Sequence, residues 1–237
     1  MNVLEIKKIN CESWGVNFTN KININIANEN LSIVSEFLNK QPVDVYCVFF
    51  GTLLGFIREG NFMTHDEDTD IALINPTKDL LLDLKKKLIQ ENFYIFRDDT
   101  FILSGMRKGE YIDFHKFFKF NNKFQSDCFI FDEEIFEKLI DLQTDNRFII
   151  KIPFKPKNVL EVLYGKSWTV KLEDHHVDPL AKSKNNRLNY DINLMLYKLY
   201  SKAKKSNSLL GIFARSSLTR LIIGVYNKIF DFLFRKS

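Results

Sequence analysis

Apolar residues recur with two different periods along the chain and predict a protein built from both strands and helices. Residues 43–50 (VDVYCVFF) are dense in β-branched and aromatic side chains, which is typical of a buried strand. Residues 68–74 (DTDIALI) and 111–118 (YIDFHKFF) predict two further strands. Apolar positions at helical spacing in residues 30–39 and 78–92 predict amphipathic helices beside them. We therefore expect an α+β fold in which a mixed sheet is flanked by helices.

Other segments have weaker patterns. Alternation in residues 21–28 (KININIAN) favours an edge strand or a turn, and helical spacing predicts a helix over residues 132–142. Residues 147–152 have a strand-like pattern, and residues 157–164 predict a short helix that ends at Gly165. No chemistry is visible in residues 21–28. Lys155, Lys157 and Lys166 around the last helix could contact a donor phosphate or a glycan, but such a cluster is more typical of a solvated face.

Charge divides the chain at about residue 181. Residues 182–237 hold twelve Lys or Arg against two Asp, about +10, which leaves about −6 on residues 1–181. We predict a globular domain over residues 1–181 and a basic helical tail over residues 182–237. An apolar stripe in the tail predicts a helix that binds an anionic membrane surface, or one that packs on the domain or on a second subunit. The stripe consists of Leu218, Leu221, Ile222, Val225, Ile229, Phe232 and Leu233.

The composition predicts a folded protein in a reducing compartment. The chain has 237 residues, 45% of them hydrophobic, which can furnish a sizeable core. Its three cysteines are odd in number and lack C-x-x-C spacing, so they predict neither a disulfide framework nor a zinc site. The pattern contains no secretion signal and no run of about 18 uncharged apolar residues that would predict a membrane-spanning helix. We expect a cytoplasmic location, peripheral on the inner face of the membrane if the tail binds lipid.

The candidate chemistry lies in residues 51–71 (GTLLGFIREGNFMTHDEDTDI). A period of two along the predicted strand places Asp68 and Asp70 on one face, where their carboxylates can share a divalent cation. Oxygen ligands of this kind suit a hard ion such as Mg²⁺. An isolated D-x-D is more often a solvated turn, but here a buried strand and a Gly-Thr turn precede it. Asp113 is a third candidate, because an unpaired carboxylate on a core strand would be costly.

The Gly-Thr turn after the first predicted strand offers a place for phosphates. Gly51 would present a backbone N–H and Thr52 a hydroxyl. The order of strand, Gly-Thr turn, helix and D-x-D strand resembles nucleotidyltransferases of the DNA polymerase β type. The longer string, from GTLLG through Arg58 to DEDTDIAL, resembles more narrowly the LicD family, which includes bacterial phosphocholine transferases and the eukaryotic fukutin group.

Two later segments extend the resemblance to about residues 43–168. YIDFHKFF resembles the family's strand that carries a third carboxylate, and IPFKPKNVLEVLYGKSW (152–168) resembles its closing Tyr-Gly segment. The sequence departs from the family pattern at His65, where members often carry Trp, and at Glu67, where they often carry Asp. Neither departure removes a predicted metal ligand.

The resemblance implies a Mg²⁺-dependent transferase, with Mn²⁺ as the alternative ion. It would move a phospho-alcohol group such as phosphocholine from a CDP-linked donor to a sugar hydroxyl of a cell-surface glycan or its lipid-linked precursor. The same carboxylates would equally serve a nucleotidyltransferase that places NMP on a small molecule or a protein. A third hypothesis is a non-catalytic, membrane-associated binding module. The presence of all three candidate acids, Asp68, Asp70 and Asp113, argues against it. We expect no nucleic-acid partner.

Each candidate residue receives a role from the residue chemistry and the resemblance together. The three acids would hold the metal, and Asp113 could also accept the proton of the attacking hydroxyl. Asp66 would lie beside these ligands and steer a metal-bound water. The metal ligands are Asp68, Asp70 and Asp113, and the donor-phosphate contacts are Gly51, Thr52 and Arg58.

Overall fold

A computed structural model of the protein describes residues 2–120, 122–127 and 129–171. The predicted basic tail and the boundary near residue 181 lie outside these residues. The described helices are α1 (Val3–Trp14), α2 (Ile24–Asn39), α3 (Phe50–Glu59), α4 (Lys78–Gln90) and α5 (Pro156–Tyr164). None of these helices is both long enough and apolar enough to cross a membrane.

A mixed sheet forms the centre of this part of the chain. The strands are β1 (Tyr46–Val48), β2 (Thr69–Ile74), β3 (Tyr94–Asp98), β4 (Ile102–Arg107), β5 (Glu110–Phe120), β6 (Lys123–Ser126), β7 (Phe129–Asp132), β8 (Leu139–Gln143) and β9 (Ile149–Pro153). The central order is β1-β2-β5-β4-β3, with β6 joined to β5 and β7 to β6, while β8 and β9 form a separate hairpin. Strands β2 and β5 are parallel, whereas β1–β2, β4–β5 and β3–β4 are antiparallel. This arrangement confirms the predicted α+β fold with a mixed sheet between helices.

The two faces of the sheet have different coverings. Along β5, alternation sends Asp113 and His115 to one face, and the first residues of α3 lie against that face, where the ring of Phe50 contacts His115 at 4.9 Å. Helix α4 packs on the other face, where Leu88 lies against Gly105 of β4. Helix α2 contacts β5 and α4, and α5 packs against α3. The predicted acids therefore lie on the face that carries α3.

A cluster of phenylalanines fixes where α3 begins. Phe49, the residue before the helix, packs its ring against Phe117 of β5 at 5.7 Å and against Phe131 at 5.4 Å. Phe136 closes the cluster, with its ring centroid 5.2 Å from each of Phe49 and Phe117. All four rings are buried, and edge-to-face contacts of this kind add to the apolar burial. The cluster anchors the start of α3 beside the ends of β1 and β2.

Two of the weaker predictions are wrong. Residues 132–142 form no helix but a 3₁₀ turn (Glu133–Ile135) followed by β8, whose backbone pairs with β9. The apolar residues of this segment are buried from a turn and a strand, and Phe136 and Leu139 are both buried in this way. The alternating segment 21–28 is not an edge strand either. It contains the start of α2, where the side chain of Asn23 caps the helix by accepting a hydrogen bond from the Ile26 N–H.

A buried ion pair attaches α1 to the β4–β5 turn. The Lys7 ammonium donates to the carboxylate of Glu110 at 3.3 Å, and the two side chains are only 3% and 4% exposed. Glu110 also accepts a hydrogen bond from the Asn23 N–H at 3.0 Å. Asn10 of α1 accepts one from the Gly109 N–H at 2.7 Å. The N-terminal helix, which the sequence pattern left unassigned, is thus held by polar contacts on its buried side.

Candidate active site

Strands β2 and β5 bring two of the predicted acids side by side. Asp70 and Asp113 are direct partners in the parallel ladder of these strands. Neighbouring residues in such a ladder share a face, and adjacent strands lie about 4.8 Å apart. Asp68 immediately precedes β2, and the charges of Asp70 and Asp113 raise its pKa. The predicted set of three carboxylates therefore gathers at one edge of the site, from two segments about 45 residues apart in sequence.

Asp70 is held from three directions. Its Oδ2 accepts a hydrogen bond from the Gly51 N–H at 3.2 Å, and its Oδ1 lies 3.1 Å from His115 Nε2. Its backbone N–H donates to the Thr52 hydroxyl at 2.8 Å. Asp70 thus takes the part of a capping residue for α3, which has no side-chain cap of its own at Phe49.

Gly51 and Thr52 are both engaged with Asp70 in the first turn of α3. Thr52 is fully buried, and its hydroxyl accepts the Asp70 N–H while keeping its own proton free to donate. The Gly51 N–H would have to share or exchange its bond to reach a phosphate. The predicted phosphate contacts of these two residues therefore stay a prediction.

Asp66 lies directly over the start of α3. A Cβ added at Gly51 would come within 2.8 Å of Asp66 Oδ2 and 3.2 Å of Oδ1, so only glycine lets this carboxylate approach the helix. Asp66 is 8% exposed, and its N–H donates to the Met63 carbonyl at 3.1 Å. Its charge contributes to the raised pKa of Asp70, and the role predicted for Asp66 stays a prediction.

The gathered acids carry unfavourable charge. Burial, followed by the charges of Asp70, Asp113 and Asp66, raises the pKa of Asp68 well above its ordinary value. Burial also raises the pKa of Asp70, with further contributions from Asp66 and Asp113, and the Gly51 N–H only partly opposes them. Carboxylates pushed this way favour either protons or a cation close by.

The donor set fits a hard divalent cation. One oxygen of Asp113, Oδ1, is buried and has no hydrogen-bond partner among the described residues, which is costly for a carboxylate unless something else binds it. Among the described residues, no group of three or more Asp, Glu, His or Cys side chains is arranged so that it could hold a metal ion by itself. Mg²⁺ seldom uses such a cage, because it binds through one or two carboxylates together with substrate phosphates and water. Two of the three acids would be enough for that mode, and the role of Asp68, Asp70 and Asp113 as metal ligands stays a prediction.

Arg58 and two tyrosines complete the surroundings of the acids. Arg58, in the last turn of α3, donates from Nη2 to Glu59 at 3.0 Å and towards the Met63 sulfur at 2.9 Å. Burial, with the charges of Asp68 and its neighbours, raises the pKa of Tyr111. Burial, with the charges of the acids of the 66–70 segment, likewise raises the pKa of Tyr164 at the end of α5.

Neither tyrosine was identified as a site residue from the sequence. Tyr111 could have been found, because it shares the period-two face of Asp113 and His115. Tyr164 lies about 95 residues beyond the acids of the 66–70 segment in sequence, and the packing of α5 on α3 brings its helix towards them. Its only sequence signal was the Tyr-Gly segment of the family resemblance.

These features together define a nucleotidyltransferase-type domain: a mixed sheet, a helix that begins beside the acids, and carboxylates on two parallel neighbouring strands. The model of the family described as LicD/FKTN/FKRP, nucleotidyltransferase domain, matches residues 44–192, more than half of the chain. The chain therefore belongs to the LicD family. No curated protein matches it.

Membership of the family fixes the activity at a coarse level. LicD proteins are in general transferases, and the family indicates a phosphotransferase-like function for this chain. The resemblance read from residues 43–168 is confirmed by a match that begins at nearly the same residue. The donor, the acceptor and the metal belong to the proposal that follows.

Proposed function

We propose that the protein is a Mg²⁺-dependent transferase that moves a phospho-alcohol group, such as phosphocholine, from a CDP-linked donor to a sugar hydroxyl of a cell-surface glycan or its lipid-linked precursor. The observation that carries the proposal is the pairing of Asp70 with Asp113 across two parallel strands, with Asp68 beside them, in a LicD-family domain. Phosphoryl transfer asks a protein mainly for positioning and for neutralisation of charge. A cluster of partly buried carboxylates beside an arginine supports that kind of chemistry.

The residues divide the work as follows. Asp68 and Asp70 would hold the metal, and the contacts with Gly51 and His115 keep the Asp70 carboxylate in one orientation. Mg²⁺, when bound, supplies charge neutralisation at the transferring phosphate and the leaving group. Asp113, whose Oδ1 is free of hydrogen bonds within the described residues, accepts the proton of the attacking sugar hydroxyl. Arg58 adds positive charge on the donor side of the site.

The site belongs at a membrane surface if the acceptor is lipid-linked. Residues 182–237 carry about +10 charge and an apolar stripe, which suits peripheral attachment to anionic lipid on the cytoplasmic face. That segment lies outside the described residues, so the attachment rests on the sequence alone.

Analysis of the released nucleotide tests the reaction class. The full chain is incubated with Mg²⁺ and a panel of CDP- and UDP-linked alcohols, and nucleotide products are separated by chromatography. CMP released from a CDP-alcohol supports the proposal. Pyrophosphate released from an NTP, without CMP from any CDP-alcohol, would replace it with nucleotidyl transfer, the candidate that the family's own domain description favours.

Substitution of the predicted ligands tests the metal assignment. Asp68→Asn and Asp70→Asn should each abolish turnover while the chain stays folded, because each removes a ligand and also relieves repulsion between acids. Asp98→Asn is the matched control, since Asp98 is an exposed acid of the same sheet that pairs with Lys85 and Lys116. Wild-type turnover in either ligand variant at saturating Mg²⁺ would refute the assignment. Absence of Mg²⁺ binding to the wild type would favour a non-catalytic module.

A further inference from the structure

Ser104 of β4 is a buried serine whose hydroxyl has no hydrogen-bond partner among the described residues. The residue is 1% exposed, and its Oγ is buried and unpaired. Buried polar side-chain atoms of folded proteins nearly always have a partner. Leaving a buried hydroxyl unpaired costs free energy that alanine at the same position would not cost. The hydroxyl therefore calls for a role other than packing.

Ser104 lies on the face of the sheet that carries the acids. It is the direct partner of Asp113 in the antiparallel ladder of β4 and β5, and directly opposed residues share a face. Gly105, the next residue of β4, faces Leu88 on the α4 side, so the period of two sends Ser104 to the opposite side. Asp70, Asp113 and Ser104 thus occupy one row across the neighbouring strands β2, β5 and β4.

Two atoms in this row are complementary. Like Ser104 Oγ, Asp113 Oδ1 is buried and has no partner in the described part of the chain. An ionised carboxylate only accepts hydrogen bonds, and a serine hydroxyl can donate one. Opposed residues of an antiparallel pair have Cβ atoms about 4.5–5.5 Å apart, and hydroxyl side chains form cross-strand hydrogen bonds at this separation. Rotation of the two side chains between staggered conformers can therefore join them without a change in the backbone.

The two acids that are partners across β2 and β5 differ in how they are held. The Asp70 carboxylate contacts the Gly51 N–H and His115 Nε2. Asp113 Oδ1 has no such contact within the described residues. Carboxylates that bind a metal ion are in general hydrogen-bonded by neighbouring groups, which fix their orientation. Ser104 is placed to do for Asp113 what Gly51 and His115 do for Asp70.

We infer that Ser104 is a positioning residue for Asp113: its hydroxyl donates to Oδ1 and leaves Oδ2 for the cation or for the proton of the attacking hydroxyl. The inference rests on the proposed function and deepens it, because it assigns to the reaction a residue on the strand beyond Asp113, away from Asp70. Ser104 is too buried to contact a substrate, so its effect reaches the reaction only through Asp113. Loss of the hydroxyl should let the Asp113 carboxylate turn, which weakens metal binding and lowers kcat.

Binding of Mn²⁺ alone to the full chain, followed by electron paramagnetic resonance of the free ion, tests the inference without turnover. Ser104→Ala removes the hydroxyl, whereas Ser104→Thr keeps it on a side chain that strands favour. Ser104→Ala should raise the Mn²⁺ dissociation constant about tenfold, the change expected from losing one hydrogen bond to a charged group, and Ser104→Thr should restore most of the affinity. In turnover assays at saturating Mn²⁺, Ser104→Ala should lower kcat and leave the KM for the donor unchanged.

Ser126→Ala is the matched control. Ser126 is a fully buried serine of β6, and its hydroxyl donates to the Phe101 carbonyl at 3.4 Å. Loss of this hydroxyl should lower the melting temperature at most, and should change neither the Mn²⁺ dissociation constant nor kcat. Ser104→Ala with a wild-type dissociation constant and kcat, whatever its melting temperature, would make its hydroxyl structural and overturn the inference.

A double-mutant cycle shows whether Ser104 acts through Asp113. In the Asp113→Ala background no carboxylate is left to hold, so adding Ser104→Ala should not raise the Mn²⁺ dissociation constant further. A second rise of about tenfold in that background would show that Ser104 acts on something else, and the inference would fail.

The outcome is distinguishable from failure of the proposed function. If the cycle gives the expected result while the wild type releases no CMP from any CDP-alcohol, the positioning role stands and the proposed reaction fails. If CMP is released and Ser104→Ala keeps the wild-type kcat and Mn²⁺ affinity, the reaction stands and the positioning role fails. A wild type that binds no Mn²⁺ and releases no nucleotide from any donor overturns both.

Discussion

Replacing Asp113 with asparagine should stabilise the metal-free protein, which is the opposite of what loss of a core polar group usually does. Asp113 and Asp70 are partners on adjacent parallel strands, which lie about 4.8 Å apart, and we take about 5 Å as the separation of their charges. At an effective dielectric constant of about 20, two unit charges at that distance repel by about 3 kcal/mol. Asp70 can relieve part of this repulsion by binding a proton, because burial raises its pKa, so about 3 kcal/mol is the ceiling for the gain in unfolding free energy from this pair.

The same substitution should damage function. Asp113→Asn removes the proposed proton acceptor, which costs at least about a hundredfold in rate, and more if the carboxylate also holds the metal. Mg²⁺ should raise the unfolding free energy of the wild type by an amount set by the ratio of the Mg²⁺ concentration to its dissociation constant. The increase is about 2.7 kcal/mol when the concentration is a hundred times the dissociation constant. The variant should gain much less.

Urea denaturation followed by circular dichroism, in EDTA and in Mg²⁺, measures both effects. Asp98→Asn is the control of opposite sign. Partial burial acts to raise the pKa of Asp98, but hydrogen bonds from Lys116 and Lys85 outweigh it and lower the pKa, so loss of this charge should destabilise the fold. If Asp113→Asn destabilises the metal-free protein as Asp98→Asn does, the Asp113 carboxylate is satisfied by the fold, and the argument for a cation fails.

Two further predictions concern parts of the chain distant from the acids. Lys7→Met should lower the unfolding free energy at neutral pH by about 3–5 kcal/mol, because it leaves Glu110 buried without its cation. Burial raises the pKa of Glu110 although Lys7 acts to lower it, so the folded state binds the Glu110 proton more tightly than the unfolded state does. The loss of unfolding free energy caused by Lys7→Met should therefore shrink as pH falls towards the ordinary pKa of Glu. A loss that does not depend on pH would contradict this. The tail, residues 209–237, should bind anionic liposomes with a strength that falls as salt rises. In co-sedimentation with and without anionic lipid, equal behaviour of the full chain and a chain ending near Ser206 would instead make the tail a packing or dimerisation helix.

The sequence alone determined the elements whose hydrophobic period is strong. A strand within residues 43–50 was identified, although only Tyr46–Val48 form β1 and α3 already begins at Phe50. The acids that precede an apolar strand and the family were identified too, because these signals are local. Gly165 was correctly assigned as the end of α5, since glycine suits that position. The face shared by Asp113 and His115 also followed from a period of two.

Contacts between distant segments were decided only by the tertiary structure. Apolar residues in 132–142 have helical spacing, yet the backbone of β8 within and beyond this segment forms hydrogen bonds with β9. This strand pairing overrides the local preference for a helix. The hydrophobic pattern of helix α1 is weak because polar residues lie on its buried side. Their role is visible only in the folded protein, where they contact Glu110 and Gly109. No local signal encodes such a partner.

The same division holds within the site. The sequence identified Asp68, Asp70 and Asp113 as candidate residues from their chemistry and spacing. It did not predict the hydrogen bonds that hold Asp70. Those bonds depend on the register between β2 and β5 and on where the phenylalanine cluster starts α3. The packing of α5 on α3 brings the helix of Tyr164 towards the acids. A period along one segment fixes which way a side chain faces, whereas its neighbours across the fold are chosen by the burial of all segments together.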